Sequence, residues 1–375
     1  MDFSLSDEQE AVGGVANRIF TGQSPPERVK EVERSVERFD RLLWTQLAQA
    51  NLLGICLPEE DGGSGLGMTE LCLVLEQQGR RVAPVPLLWS SVAALAIAEF
   101  GDPALRAAWL PPMIAGDAVI TAGLAEPGGG DPLRPWLEAS ADGAGGWRVT
   151  GTKPSVPFAH VASRVLVSAR VAGTADLLVA LVDPGGPGTT GARAEATDHQ
   201  LLTHLTFDGA PVSAAEVVAG PERGAAATRW VLERALTGLC ALQLGVAEEA
   251  LTQAASYTST RLQFGKPLSS FQSTAARAAD AYIDTEAIRA TLWQAAWRLD
   301  RGLDATLEVE VAKWWAAEAG QRVVHATQHL HGGLGADVEY PIHRYFLWGK
   351  QLEDTLGGGS AHLARIGQAL AGAHA

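Results

Sequence analysis

Two stretches, RLQFGKP at Arg261–Pro267 and HLHGGLGADVEYPIHRY at His329–Tyr345, decide how this chain is read. The first closes a long run, Ala225–Thr260, whose apolar residues recur at i, i+3 and i+4, the spacing of a helix with a buried face. Two more such runs, Ser270–Leu303 and Leu307–Leu330, flank the second stretch on its N-terminal side, and a last helix is expected near Leu352–Leu370. Four long helices joined by short links predict an antiparallel bundle over residues 223–375.

Outward from the bundle the character of the chain changes. Between 118 and 222 the segments WRVTGTK, SRVLVSARV, DLLVALVD and LLTHLTFDG alternate apolar and polar residues and are separated by Gly, Pro and Asp, the pattern of an antiparallel β domain. Residues 1–117 again read as helices. Ser6 and Gln9 have the spacing of a capping box, and amphipathic runs follow at Phe39–Ala50, Met68–Gly79 and Leu87–Phe100. The glycine-rich LPEEDGGSGLG of Leu57–Gly67 has no preceding strand and no closing GK[ST], so it reads as a turn rather than a phosphate loop. The expected fold class is α+β, mainly α, with a helical domain at 1–117, a β domain at 118–222 and the bundle at 223–375.

Composition narrows the function. The chain has 375 residues, 47% of them hydrophobic, enough for more than one core. Its 29 Lys and Arg stand against 43 Asp and Glu, a net charge of −14, which disfavours a general nucleic-acid or anionic-membrane binder. Cys56, Cys72 and Cys240 form no CxxC pair, so buried free thiols are expected, and the histidines of 325–343 lack carboxylate or Cys partners at metal-ligand spacing. The start MDFSLSDEQEAV has no basic and apolar signal regions, and no stretch reaches the roughly 18 apolar residues of a membrane span. A soluble cytoplasmic protein is expected.

The α–β–α order, the PEEDGG turn, RLQFGKP and the Gly332–Gly335 run together resemble the acyl-CoA dehydrogenase family over essentially the whole chain. The segments DAYIDTEAIRATLWQAAWR (Asp280–Arg298) and WAAEAGQRVVHATQHLHGG more closely resemble one subunit of the actinobacterial α2β2 acyl-CoA dehydrogenases of steroid side-chain degradation. The resemblance implies FAD and the α,β-dehydrogenation of an acyl-CoA thioester, in which a glutamate removes the α-proton while a hydride leaves the β-carbon. It also implies an electron-transfer flavoprotein as acceptor. In family homodimers one subunit cradles the flavin ring, and the neighbour's post-helix Arg and Phe and its Gly-Gly loop hold the ADP portion. Carried onto this sequence, the cofactor-binding residues are Arg261, Gln263, Phe264, His329, Gly332 and Gly333. Read singly, Arg261 is a helix-end cation that complements the dipole and the glycines are a turn; it is their conjunction that points to a ligand.

The chain departs from the family at three places. At the first flavin-facing strand end it reads AEPGGGD, so Ala125 replaces a threonine. At the second it reads GTKPSVP, so Ser155 stands where a tryptophan packs on the ring and Pro157 where a threonine donates a hydrogen bond. The column of the catalytic glutamate falls on Leu356, and the alternative column on the first bundle helix falls on Ala235. Glu233 and Glu353 are the nearest carboxylates, and no catalytic residue is assigned. Retention of the donated half with loss of the cradle and base predicts a subunit that pairs with a homologous catalytic subunit, one FAD per heterodimer and an α2β2 assembly. The rivals are a self-sufficient homomeric enzyme using Glu233 or Glu353, and a flavin-free scaffold. Trp293, Trp297, Trp314, Trp315 and Trp348 are expected in the core, with the first four as alternative partner-facing residues.

Overall fold

The computed structural model describes residues 4–372. Six helices come first: α1 (Asp7–Gln23), α2 (Pro26–Glu33), α3 (Arg41–Gln49), α4 (Met68–Arg81), α5 (Leu87–Phe100) and α6 (Pro103–Ile114). Eight strands follow: β1 (Ile120–Gly123), β2 (Glu138–Ala141), β3 (Trp147–Pro157), β4 (Arg164–Val171), β5 (Leu177–Val182), β6 (Thr189–Glu195), β7 (Leu201–Val212) and β8 (Val217–Ala219). After α7 (Pro221–Thr260) a small hairpin, β9 (Leu262–Gln263) and β10 (Lys266–Pro267), leads to α8 (Gln272–Asp300), α9 (Thr306–Leu330), α10 (Ile342–Asp354) and α11 (Gly359–Gly372). This is the expected order of helical domain, β-sheet and helical domain.

The chain forms two compact units. One contains residues 1–30, 68–83 and 236–375, and the other residues 31–67 and 84–235, so that α7 contributes to both. In the second unit the sheet runs β6-β7-β3-β2-β4-β5-β8, with β1 parallel to β4. Strand β5, LLVALV, is buried along its whole length, whereas β7 alternates buried Leu205 and Phe207 with exposed His204 and Thr206. Leu137, Val149, Val156, Val165, Val167, Leu178 and Phe207 fill the core on one face. The four strands expected from alternation are present. Strand β6, mostly exposed, and the short β1, β2 and β8 lack the alternating signal.

In the first unit both local and distant groups start the helices. Ser6 and Gln9 form the reciprocal capping box at α1. The N-terminus of α4 has no such local cap; instead the Asp300 carboxylate, from the last residue of α8, accepts the backbone N–H groups of Met68 and Thr69. Between Leu239 and Ala247 helix α7 is buried all round, as a central helix must be. Its backbone meets that of α4 directly: a Cβ on Gly245 would lie 2.0 Å from the Glu76 carbonyl oxygen, and one on Gly79 would lie 2.1 Å from that of Leu242.

The expected last helix, Leu352–Leu370, is two. Residues 355–358 separate α10 from α11, with Leu356 at φ 60° and Gly357 at φ 112°. Three consecutive glycines carry little helix propensity, and buried polar groups hold the break open. Lys313 donates to the carbonyl oxygens of Leu352, Glu353 and Gly357 at 3.0–3.2 Å, and His362 contacts Gly357 O at 3.0 Å and Glu310 at 2.6 Å. Trp348 is buried, while Trp293, Trp297, Trp314 and Trp315 are half-buried. Cys72 and Cys240 are buried free thiols, and Cys56 is half-buried.

Overpacking a backbone contact costs roughly 1–3 kcal/mol, so Gly245→Ala lowers the unfolding free energy by about 2 kcal/mol in urea denaturation. Gly367→Ala, on the exposed face of α11 where a Cβ meets nothing within 4 Å, raises it by about 0.5 kcal/mol.

Candidate functional site

Helix α7 ends at Thr260, and the chain reverses at once in the β9–β10 hairpin, where Gln263 pairs with Lys266 and Leu262 with Pro267. A two-residue turn of the favoured hairpin type needs positive φ at both central residues. They are Phe264 at 52° and Gly265 at 78°. Glycine takes this conformation freely, whereas an aromatic residue is strained there. Phe264 is nevertheless 93% exposed, so the hairpin presents a benzyl group to solvent at a conformational cost. Arg261 and Gln263 beside it are also exposed. Arg261 is anchored through its backbone, with N–H donating to Tyr257 O and its carbonyl accepting from Leu268 N, both at 2.9 Å.

The second element begins where α9 ends. Gly332 has φ 61°, and a Cβ on Gly332 or Gly333 would meet nothing within 4 Å; one on Gly335 would strike Gln328 O at 2.3 Å. Gly335 is therefore required by packing, while Gly332 and Gly333 leave backbone open to an approaching group. His329 is exposed and lines a groove of about 420 Å³ with Arg277, His325, Gln328, Gly332 and Ala336.

Between the two elements sits His331, 2% exposed. Its Nδ1–H donates to Thr327 O at 2.8 Å, and its ring stacks on Tyr257 at 4.7 Å and contacts Tyr340 at 5.5 Å. Burial pushes its pKa below the ordinary histidine range, so the ring is neutral, and Nε2 is a buried acceptor with no donor among the described residues. Tyr257 lies one helical turn before Arg261, so this stack ties the root of the hairpin to the glycine loop. Sequence reasoning missed the stack, because its other rings lie 74 and 83 residues from Tyr257 and share no pattern.

The positions that the sequence reading matched to the catalytic glutamate are Leu356 and Ala235. Leu356 is half-buried in the α10–α11 break, and Ala235 is fully buried. Glu233 is half-buried and already engaged in an interaction. Glu353 forms an ion pair with Lys350, and its carbonyl takes one of the Lys313 hydrogen bonds. Beneath the break, burial lowers Lys313 from 10.5 to about 8 and pushes the Cys240 thiol up to about 12.

In the other unit the two departing strand ends are joined by one buried ion pair. Lys153 of GTKPSVP and Glu126 of AEPGGGD are 1% and 4% exposed, their charged ends in direct contact. The second carboxylate oxygen of Glu126 accepts from Trp136 N at 3.1 Å. Burial pushes the Glu126 carboxyl up and the Lys153 ammonium down, and each partner's charge opposes the shift. Just beyond Lys153 the β3–β7 register slips by one residue, and this bulge turns Ser155 out to solvent at φ 51°. Pro157 offers only its carbonyl, which accepts from Thr121 Oγ1 at 2.6 Å. Ala125 is half-buried, and its methyl donates nothing.

Comparison with known proteins agrees with this geometry. Residues 6–117 match the acyl-CoA dehydrogenase N-terminal domain and residues 222–371 the acyl-CoA dehydrogenase C-terminal domain. Acyl-CoA dehydrogenase FadE27 of Mycobacterium tuberculosis is 40% identical, covering 99% of each chain. Among solved structures, a variant of the Tcur3481–Tcur3483 steroid ACAD superposes with TM-score 0.93 at 46% identity, covering 99% of this chain and 100% of that one. The ChsE4–ChsE5 complex from Mycobacterium tuberculosis gives TM-score 0.92 at 39% identity, covering 99% of each. The chain belongs to the acyl-CoA dehydrogenase family, flavoproteins that bind FAD and act as oxidoreductases on acyl-CoA.

Two measurements probe the buried charges. Removing one member of a buried pair costs roughly 3–5 kcal/mol, so Lys153→Met is strongly destabilised in urea denaturation and Lys153→Met combined with Glu126→Gln recovers much of the loss. For Lys313, the unfolded state binds the extra proton between pH 8 and 10.5, so stability from this group rises with pH across that window. The stability of the native chain minus that of Lys313→Met therefore grows from pH 8 to 10.5.

Proposed function

We propose that this chain is a subunit of an FAD-dependent acyl-CoA dehydrogenase that lends half of an FAD site to a homologous catalytic subunit. The observation that carries the reading is Phe264, held 93% exposed in a strained backbone conformation next to exposed Arg261 and Gln263. Within the chain the Phe264 ring meets only the edge of Phe271, 6.3 Å away, which leaves most of its surface open to a ligand. The open glycine backbone at 332–333 and exposed His329 add donors, and this set fits the ADP portion of FAD. Arg261 supplies charge-assisted hydrogen bonds to pyrophosphate, Phe264 an aromatic face, and the Gly332–Gly333 backbone close approach.

The ring-facing half of the chain does not fit. Ser155 offers no aromatic surface, Pro157 and Ala125 offer no donor, and both base columns are aliphatic. FAD, when bound, accepts the hydride from the β-carbon of the acyl-CoA. The partner supplies the carboxylate that takes the α-proton and the pocket that excludes water from the thioester, while this chain binds and orients the dinucleotide. The solved relatives named as the ChsE4–ChsE5 complex and the Tcur3481–Tcur3483 steroid ACAD support a two-component enzyme. The description of the Tcur3481–Tcur3483 enzyme as a steroid ACAD supports a steroid CoA ester, with the thioester on its side chain, as the substrate of this chain's complex. An α2β2 assembly in the cytoplasm and an electron-transfer flavoprotein as acceptor complete the proposal.

Co-expression with a family member that carries the aligned glutamate tests it. The purified complex contains one FAD per heterodimer by absorbance, and Arg261→Ala releases that FAD. Two FAD per heterodimer, or full dehydrogenase activity of this chain alone, overturns the reading.

A further inference from the structure

The groove beside the glycine loop contains a cation that the family resemblance does not account for. Arg277, five residues after Gln272 at the start of α8, is exposed and makes no ion pair among the described residues. It lines two adjoining grooves of about 420 and 430 Å³, which share Arg277 and His325. The other guanidinium in this region, Arg322, is closed off by two hydrogen bonds to Asp284 at 2.6 and 2.8 Å. Arg277 is thus the free cation of the pair.

Asp280 and Asp284 line only the adjoining groove, and the groove on the glycine-loop side has no carboxylate in its lining. His329, Gln328 and Gly332 share its groove, and Gly332 leaves its backbone open. A volume of about 420 Å³ lies within the roughly 300–1,000 Å³ of small-molecule sites. The groove also lies at the C-terminal end of α9, the negative end of its dipole. An anionic ligand there needs a compensating cation, and Arg277 is placed to provide it.

We infer that Arg277 is a binding residue for the ADP portion of the partner's FAD, a second cationic contact besides Arg261. The inference rests on the proposed function, since it is that reading which brings a dinucleotide to the Gly332–Gly333 loop. Arg277 and His329 both line that groove, and the group Arg277 contacts is the adenylate-side phosphate.

The test uses the purified heteromeric complex stripped of flavin and titrated with FAD or FMN, following flavin fluorescence. Arg277→Gln raises the FAD dissociation constant about tenfold and flattens its dependence on salt, because one exposed ionic contact is gone. Arg277→Lys keeps the charge without the fork and falls between. FMN, which lacks the adenylate, binds Arg277→Gln and the native complex equally well. Subunit assembly by size-exclusion chromatography stays unchanged, which separates loss of a contact from misfolding. If Arg277→Gln leaves FAD affinity and salt dependence unaltered while Arg261→Ala releases FAD, this inference fails and the proposed function stands. An equal loss of FMN and FAD affinity also overturns it. If neither arginine affects FAD, both fall.

Discussion

The contact of α7 with α4, backbone against backbone through Gly79 and Gly245, is the constraint on which the first unit depends. A helix of 40 residues is on the order of 60 Å long, and most of its stability comes from burial rather than propensity. Close approach without side chains fixes both position and rotation, since a glycine patch meets its partner in only one register. Rotation in turn decides where Tyr257 points and where the Arg261 hairpin emerges. The stack of Tyr257, His331 and Tyr340 then carries that placement to the glycine loop. One packing contact therefore positions two exposed elements that are distant in sequence.

In the other unit the strand ends carry Ala125, Ser155 and Pro157, and between them Glu126 and Lys153 are buried together. A buried charge without its partner is far more costly than an exposed residue without its ligand. Folding thus constrains this pair independently of any role in catalysis. The same logic applies to the α10–α11 break, where Lys313 and His362 satisfy carbonyls around Leu356 although no carboxylate is there to be positioned.

Much of the fold was legible because it is written in local period. Helices α4, α5, α7, α8 and α9 and strands β3, β4, β5 and β7 each carry their own repeat of apolar residues. The exposed candidates Arg261, Gln263, Phe264, His329, Gly332 and Gly333 were legible as motif. The expected single helix at 352–370 was not, because its interruption is held by Lys313 from a different helix. Nor was the His331 stack, whose three aromatic residues come from three segments and share no periodicity.

The sequence by itself determined the succession of helices and strands and the family motifs. Those depend on residue identity and near-neighbour spacing, which a chain carries whatever its shape. Only the tertiary structure decided that Phe264 faces solvent, that Glu126 is locked to Lys153, and that Arg277 shares a groove with His329. Exposure and pairing are properties of the surroundings, and the surroundings of a residue come from segments that its own sequence neighbourhood does not contain.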